Sequence, residues 1–240
     1  LTLPSSSTNV VCSEMQIDIL YEDDEVIVFD KPAGVTVHPV HEYVDNTLAN
    51  FAMYYARKNN ENYIFRAINR LDKDTSGCVV CAKNAYVANL IKNGVNKIYF
   101  AVCEGVIENS GTINKQIRLR PDSKMVREAV LEGGKESITH YKPILSNSTH
   151  TLLEINLETG RTHQIRVHMS SIGHPLMGDT VYGGGLTPFE SRHKAYIFGQ
   201  CLFASELTLK HPVTKEEMRF SAPLPDNFEK LLQILRLSVE

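Results

Sequence analysis

Short apolar runs separated by polar, turn-forming residues recur along the chain and predict a fold rich in strands. Strand patterns occupy residues 17–21, 26–29, 78–82, 98–103, 111–117, 137–144, 151–157, 201–209 and 218–221. Helical spacing is limited to residues 48–58, 85–92, 162–172 and 227–237, and residues 183–194 read as a loop. Because strands and helices do not alternate regularly, we expect an α+β fold with a mixed, largely antiparallel central sheet and flanking helices.

The length of 240 residues allows one large domain or two small ones. No linker, internal repeat or low-complexity segment divides the chain. We therefore expect a tail or linker remnant over residues 1–15 and a single domain over residues 16–240. The sequence begins with Leu1 rather than Met, so a further domain upstream of it is one expectation and its absence is the other.

The composition is that of an ordinary globular protein, with 42% hydrophobic and 22% charged residues. No apolar stretch approaches the roughly 20 residues of a transmembrane helix, and no secretory signal is visible. We therefore expect a cytoplasmic protein with no membrane partner. An odd count of 5 cysteines fits reduced, buried thiols. Cys78 and Cys81 have the spacing of a redox or zinc pair, but in a strand they face opposite sides, so we reject both roles.

The overall charge argues against a protein that wraps itself in nucleic acid, because the net charge is −3 and the pI is about 6.3. A local basic cleft is still compatible with these values. Basic residues cluster in two stretches, which contain Lys115, Arg118, Arg120, Lys124 and Arg127, and then Arg161 and Arg166. One such stretch alone is more often a solvated surface. The two stretches together are as compatible with a basic cleft as with a solvated surface.

A single carboxylate, Asp72, lies in the turn-rich segment 69–77, between Arg70 and Lys73. An aspartate in a turn is most often a local structural residue. A neighbouring arginine, however, favours the ionised form of a carboxylate. Asp72 is therefore a candidate nucleophile or base.

A second polar segment, residues 160–168, contains Arg161, His163, Arg166 and His168. The two histidines are five residues apart, not the four that would bring both onto one metal ion, so we expect no metal site. Arginine can donate two parallel hydrogen bonds to a carboxylate or a phosphate. One arginine of this segment can orient Asp72 while the other binds an RNA phosphate.

Lys97 and Tyr99 are two residues apart in a predicted strand, so their side chains lie on the same face. A tyrosine beside a carboxylate can stack on a base or help to move a proton. Taken alone, Tyr99 is more simply a core residue.

These motifs together resemble the pseudouridine synthases, in particular the branch that modifies uridines of large-subunit ribosomal RNA and transfer RNA. The resemblance extends over about residues 17–228. The segments that carry it are residues 20–24, 30–34, 37–39, 70–72, 75–77, 97–99, 158–168, 173–179 and 211–214. Ordered motifs at these spacings are far more specific than any one of them alone.

The resemblance implies an isomerase without a cofactor, which detaches the uracil ring at N1, rotates it and reattaches it through C5. It implies a central antiparallel sheet with an RNA-binding cleft. By the same resemblance, Asp72 is the essential aspartate that acts on a flipped-out uridine. Tyr99 packs on the target ring and assists proton removal at C5. Arg166 pairs with the aspartate, for which Arg161 is the weaker candidate.

The expected partner is ribosomal or transfer RNA, bound by a protein that we take to be a monomer. The residues expected to bind RNA are Arg70, Lys97, Arg161, His163, Gln164, Arg118, Arg120 and Arg127. This chain has Asn69 where the family often has histidine. Asparagine retains hydrogen bonding but cannot titrate, so we expect the difference to affect substrate fit rather than to abolish activity.

Two other functions compete with this interpretation. A non-catalytic RNA-binding protein on the same scaffold would not need Asp72, Tyr99 and Arg166 together. A hydrolase that uses Asp72 with His163 or His168 would need a second carboxylate or a metal cluster, and neither stands out near the motifs.

Overall fold

The computed structural model describes residues 12–40 and 44–237. Residues 1–11, which make up most of the predicted tail, lie outside this part. The strands are β1 (Asp18–Glu22), β2 (Val26–Lys31), β3 (Arg66–Ala67), β4 (Ser76–Ala82), β5 (Val95–Glu104), β6 (Gly111–Asn114), β7 (Gln116–Leu119), β8 (Arg127–Val130), β9 (Ile138–Ser146), β10 (His150–Leu157), β11 (Leu202–Lys210) and β12 (Glu217–Ser221). The helices are α1 (Leu48–Lys58), α2 (Ala85–Ile91), α3 (Gln164–Ser171), α4 (Pro188–Arg192) and α5 (Asp226–Leu235).

A large sheet forms the centre of the fold, with the strand order β1-β2-β4-β11-β5-β10-β9-β6. In addition, β12 pairs with β11 and β3 with β4, while β7 and β8 form a separate hairpin. Strands β4 and β11 run parallel, whereas their neighbours in the sheet pair antiparallel. The predicted α+β class and the mixed, largely antiparallel sheet are confirmed.

Strand β4 is buried on both faces and separates two parts of the core. The Cys78 side chain packs with Val26, Val80 and Leu207 on one face of the sheet. The Cys81 side chain packs with Phe29 on the other face. The prediction that these two cysteines point in opposite directions is therefore confirmed, and burial raises the pKa of each thiol to about 12.

Local capping chemistry explains where the first two helices begin. At α1 the Thr47 hydroxyl accepts a hydrogen bond from the backbone of Asn50, and the Asn50 side chain accepts one from the backbone of Thr47. At α2 the side chain of Asn84 accepts a hydrogen bond from the backbone of Val87. Helix α5 presents Phe228, Leu231, Leu232 and Leu235 to the sheet, at the spacing of a buried helical face.

The structure corrects four element predictions. Residues 111–117 are not one strand, because the chain leaves the large sheet at Lys115 to start the β7–β8 hairpin. The predicted loop 183–194 contains α4, which a capping box formed by Thr187 and Glu190 stabilises. Strands β3 and β8 were not predicted, because both are too short to show an alternation of apolar and polar residues. Helix α3 begins at Gln164 rather than at residue 162, because His163 has the left-handed conformation, with φ 59°.

Gly77 lies where β4 approaches β11 most closely. Its φ is +111°, and a Cβ atom at this position would lie 2.2 Å from the backbone oxygen of Ala204. We expect Gly77→Ala to lower the free energy of unfolding by at least about 2 kcal/mol, through backbone strain and the clash with β11. Urea denaturation checks this value.

Gly94→Ala is the matched control for Gly77→Ala. A Cβ atom on Gly94 would meet its nearest atom, the backbone oxygen of Ile91, at 3.9 Å. We expect this change to alter the free energy of unfolding by no more than about 0.5 kcal/mol. Equal losses for the two variants would show that the β4–β11 contact does not constrain residue 77.

Candidate active site

The turn that carries Asp72 is fixed on both sides by buried hydrogen bonds. Before it, the Asn69 amide donates to the backbone oxygen of Cys78 at 3.0 Å and accepts from the Val80 N–H at 2.9 Å. After it, the backbone oxygen of Lys73 accepts from the buried Lys31 Nζ at 3.0 Å and from the Gly34 N–H at 2.9 Å. The carboxylate of Asp72 is thus presented by a rigid loop.

Asn69 therefore has a structural role that the sequence did not indicate. Its side chain is buried and bonds the loop to β4 as a neighbouring strand would. The expected effect of Asn69 on substrate fit stays a prediction. A substitution of Asn69 would also disturb the loop that carries Asp72.

Arg166 lies between two carboxylates. Its Nη1 donates to Asp72 Oδ2 at 3.2 Å, while Nε and Nη2 donate to Asp179 Oδ2 and Oδ1 at 2.6 and 2.9 Å. The pair with Asp179 is the more buried, because the exposed fraction of the Asp179 side chain is 0% and that of Asp72 is 25%. Despite burial, the hydrogen bonds and charges of both carboxylates raise the pKa of Arg166. A permanent positive charge is thus held beside Asp72.

Asp179 owes its position to the tight turn that begins at Gly178. Gly178 has φ +76°, and a Cβ atom there would lie 2.2 Å from the backbone oxygen of Gly199. The Gly178 N–H donates to the buried carboxylate of Glu190 on α4. Asp179 Oδ1 also accepts from the N–H groups of Val181 and Tyr182, at 3.1 Å each. The segment 173–179 belonged to the family-like motifs, yet nothing in the sequence indicated that Asp179 pairs with Arg166.

Strand β5 contributes Lys97 and Tyr99 to the same face as predicted, and both line the cleft beside Asp72. Burial, and secondly the charge of Asp72, raise the pKa of Tyr99, so its phenol is neutral at physiological pH. Burial lowers the pKa of Lys97, and no neighbouring acid of the described chain offsets this effect. The Lys97 ammonium group is therefore a desolvated cation at the wall of the cleft.

The cleft has a volume of about 740 Å³, within the usual range for ligand sites. It brings together most of the residues that the sequence singled out, namely Arg70, Asp72, Lys97, Tyr99, Arg161, His163, Gln164 and Arg166. Lys92, Asn93, Asn96 and Asn156 add polar groups that the sequence did not single out.

The Gln164 amide, which was predicted to bind RNA, is bonded within the protein. Its oxygen accepts from the Thr159 hydroxyl and the Arg161 N–H, at 2.9 Å each. Its nitrogen donates to the backbone oxygen of Ile138 and the hydroxyl of Thr139, at 3.0 and 3.1 Å. Every hydrogen-bonding site of the amide is occupied within the protein, so Gln164 fixes the loop before α3.

The basic stretch 115–127 is also less available to RNA than the sequence suggested. Arg118 is paired with Glu128 at 2.7 Å, and Arg120 with Asp122 at 2.6 Å. Neither arginine lines the cleft. Lys115 donates to the backbone oxygen and the hydroxyl of Ser171, at 3.1 and 3.2 Å, and so ties the hairpin to α3. A basic cleft that includes Arg118 and Arg120 is therefore not what the structure shows, and RNA binding by these two arginines stays a prediction.

The two histidines of the segment 160–168 have different surroundings. His168 is fully buried between the Thr139 hydroxyl and the backbone oxygen of Lys115, which gives it a structural role. His163 lines the cleft, and its Nδ1 bonds the hydroxyl of Tyr182 at 2.8 Å. Burial lowers the pKa of His163, so the neutral ring is favoured. The hydrolase interpretation, which needs a histidine paired with Asp72, gains no support from either ring.

Among residues 12–40 and 44–237, no group of three or more His, Cys, Asp and Glu side chains is arranged to hold a metal ion. No helix in this part of the chain is long and apolar enough to cross a membrane.

An open polar cleft that combines a carboxylate with lysine and arginine side chains suits an enzyme that acts on a nucleic acid. The sequence model described as "RNA pseudouridylate synthase" matches residues 25–171, and the chain belongs to this family. The protein is thus an isomerase that converts uridine in RNA to pseudouridine. The family resemblance and the fold inferred from it are confirmed.

Individual relatives agree with this assignment. The chain is 40% identical over 237 residues to the ribosomal large subunit pseudouridine synthase D of Pseudomonas aeruginosa, with 94% of this chain and 74% of the relative covered. It is 37% identical over 235 residues to an uncharacterized RNA pseudouridine synthase of Bacillus subtilis, with 95% and 75% covered.

Solved structures show the same fold. The human RNA pseudouridylate synthase domain containing 4 matches with a TM-score of 0.72 and 25% identity, over 91% of this chain and 92% of that one. The human RNA pseudouridylate synthase domain containing 1 matches with a TM-score of 0.69 and 26% identity, over 93% and 96%.

The geometry around Arg166 predicts different stability losses at its two carboxylates. Asp179→Ala leaves a buried arginine without its bidentate partner, and we expect a loss of about 3–5 kcal/mol in the free energy of unfolding. Asp72→Ala removes a partly exposed partner and leaves the Asp179 pair intact, so we expect a loss of about 1 kcal/mol. Urea denaturation of both variants measures the difference, and an equal or larger loss for Asp72→Ala would contradict this geometry.

Proposed function

We propose that Asp72 is the catalytic carboxylate of the isomerisation and that Arg166 and Tyr99 serve it directly. The observation that carries the proposal is the 3.2 Å contact between Arg166 Nη1 and Asp72 Oδ2, in a cleft that Tyr99 also lines. Arg166 holds the carboxylate in place at the cleft. Asp72 then acts on the ribose or the base of a uridine that has left its stack.

The reaction itself requires no net change in atoms. The bond between N1 and C1′ breaks, the ring rotates, and a bond between C5 and C1′ forms. The proton on C5 leaves, and N1 carries a proton in the product. Moving the nucleotide out of its stack costs a few kcal/mol, which contacts to the base and the phosphates must offset.

Tyr99 supports two steps of this sequence. Its ring is buried at the cleft and offers a face against which the uracil can pack. Its phenol is neutral in the resting enzyme, so it can take the C5 proton only while it passes its own proton onward. Packing is therefore the role that Tyr99 fills without further help, and proton removal is the role that depends on its surroundings.

We infer that the substrate is large-subunit ribosomal RNA. The support is that relatives about 40% identical are named ribosomal large subunit pseudouridine synthases and match most of this chain. Transfer RNA, the other expected substrate, has no comparable support. Action in the cytoplasm and a monomeric state stay predictions, and size-exclusion chromatography with light scattering tests the latter.

The catalytic role of Asp72 predicts the outcome of a tritium-release assay. With RNA labelled at C5 of uridine, we expect Asp72→Asn to lower the rate of tritium release by at least about a thousandfold, because the amide is neither nucleophile nor base. Large-subunit ribosomal RNA fragments should react faster than transfer RNA transcripts.

Asp18→Asn is the control for this assay, because Asp18 is an exposed aspartate on β1, outside the cleft. We expect it to release tritium at the wild-type rate. Release by Asp72→Asn at a rate close to that of Asp18→Asn would rule out the proposed role of Asp72.

The cleft also predicts which cations hold RNA. Lys97 is a desolvated ammonium at the cleft wall, whereas Arg118 is neutralised by Glu128 outside the cleft. We expect Lys97→Gln to weaken RNA binding and to lower the slope of log K against log salt concentration by about one. Arg118→Gln should leave that slope nearly unchanged. Filter binding over a salt series measures both slopes. A larger change for Arg118→Gln than for Lys97→Gln would place the RNA on the outer face of the hairpin.

A further inference from the structure

We propose that Tyr182 is a positioning residue that holds two arginines at once, Arg166 of the cleft through its ring and the backbone of Arg127 through its hydroxyl. The inference rests on the proposed function, because it assigns Arg166 to the catalytic carboxylate and Arg127 to an RNA phosphate. Tyr182 lies in the turn after Asp179 and was not singled out in the sequence.

The first contact is between the ring of Tyr182 and the guanidinium of Arg166. The Cζ atom of Arg166 lies 5.0 Å from the ring centroid, within the range of a cation–π contact. The two carboxylates hold Arg166 through its N–H groups, while the ring covers a face of the guanidinium. Because the N–H of Tyr182 also donates to Asp179 Oδ1 at 3.1 Å, ring, arginine and buried aspartate are locked together.

The second contact is made by the hydroxyl of Tyr182. It accepts a hydrogen bond from the backbone N–H of Arg127 at 2.9 Å, where β8 begins. The same hydroxyl is hydrogen-bonded to Nδ1 of His163 at 2.8 Å. The hydroxyl thus ties the β7–β8 hairpin to the start of α3.

The side chain of Arg127 points to a ligand. Its Nε is buried and has no hydrogen-bond partner in the described part of the chain. An unpaired buried donor on a cation is costly unless an anion or water completes it. The backbone of Arg127 is tied by the Tyr182 hydroxyl to His163, which lines the cleft, so Arg127 begins β8 next to the cleft wall. We assign its guanidinium to a phosphate of the RNA backbone, because the sequence also predicted that Arg127 binds RNA.

Lys115 and His168 hold the hairpin, and two other contacts hold Tyr182 in place. Its backbone oxygen accepts from the Ser170 hydroxyl at 2.9 Å, which fixes the turn against α3. Its ring meets that of His163 edge to face, with centroids 5.7 Å apart. Lys115 and His168 tie the other end of the hairpin to α3 and β9. Tyr182 thus links the position of the hairpin to the alignment of Arg166.

The two contacts can be separated by two substitutions. Tyr182→Phe removes the hydroxyl and keeps the ring, so we expect RNA affinity to fall about tenfold. Its single-turnover rate of tritium release should stay within about twofold of wild type. Tyr182→Leu removes both contacts, so the single-turnover rate should also fall, by about tenfold. The test is therefore whether Tyr182→Phe lowers only RNA affinity while Tyr182→Leu lowers both affinity and rate. A general destabilisation of the fold would not separate the two quantities in this way.

A double-mutant cycle tests the link to Arg127. Arg127→Gln should weaken RNA binding and lower the salt slope by about one, as loss of one phosphate contact does. If Tyr182 acts through Arg127, adding Tyr182→Phe to Arg127→Gln should change affinity by no more than about twofold. Full additivity of the two losses, or an equal fall in single-turnover rate for Tyr182→Phe and Tyr182→Leu, would overturn the proposal.

Tyr55→Phe is the matched control, because it removes a hydroxyl that bonds Glu22 at 2.7 Å, outside the cleft. It should change neither affinity nor rate. All variants are compared at a temperature at which circular dichroism shows them folded. Wild-type tritium release in the same assay reports on the proposed function separately, so its absence and a failure of the cycle are distinguishable results.

Discussion

The buried arginine between two carboxylates is the interaction on which the rest of the site depends. Arg166 gives two of its donors to Asp179 and a third to Asp72, so the structural carboxylate fixes the cation and the cation fixes the candidate catalytic carboxylate. The buried charge of Arg166 would be costly without the bidentate pair to Asp179. The fold therefore stabilises a site in which Asp72 can stay partly exposed without losing its orientation.

The sheet brings the parts of this site together across long distances in sequence. Asp72 precedes β4, Tyr99 lies on β5 and Arg166 on α3, and β11 lies between β4 and β5. The close approach of β4 to β11 at Gly77 sets the spacing between the Asp72 turn and the strand that carries Tyr99. The cleft is thus a consequence of strand order, and the polar residues around it follow from where those strands end.

Much of the fold was predictable, because apolar periodicity reports burial directly. The opposite orientation of Cys78 and Cys81, the Thr47 cap and the antiparallel character of the sheet all follow from local rules. The break at Lys115 and the short strand β8 did not, since they depend on which strands pair. Helix α4 was missed although the capping box of Thr187 and Glu190 is a local signal, because the segment has no apolar period. Likewise, the sequence does not show that Arg118 pairs with Glu128 and Arg120 with Asp122.

The sequence by itself determined the fold class and the family, and it singled out three candidate site residues that the structure brings into one cleft. It did so because side-chain types and their spacing carry the chemistry of a carboxylate, a tyrosine and an arginine. Only the tertiary structure decided that Asp179 holds Arg166, that Gln164 is used up within its own loop, and that Tyr182 joins the hairpin to the arginine. Those roles arise from distances between segments, which loop closure and strand order set and which local sequence does not encode.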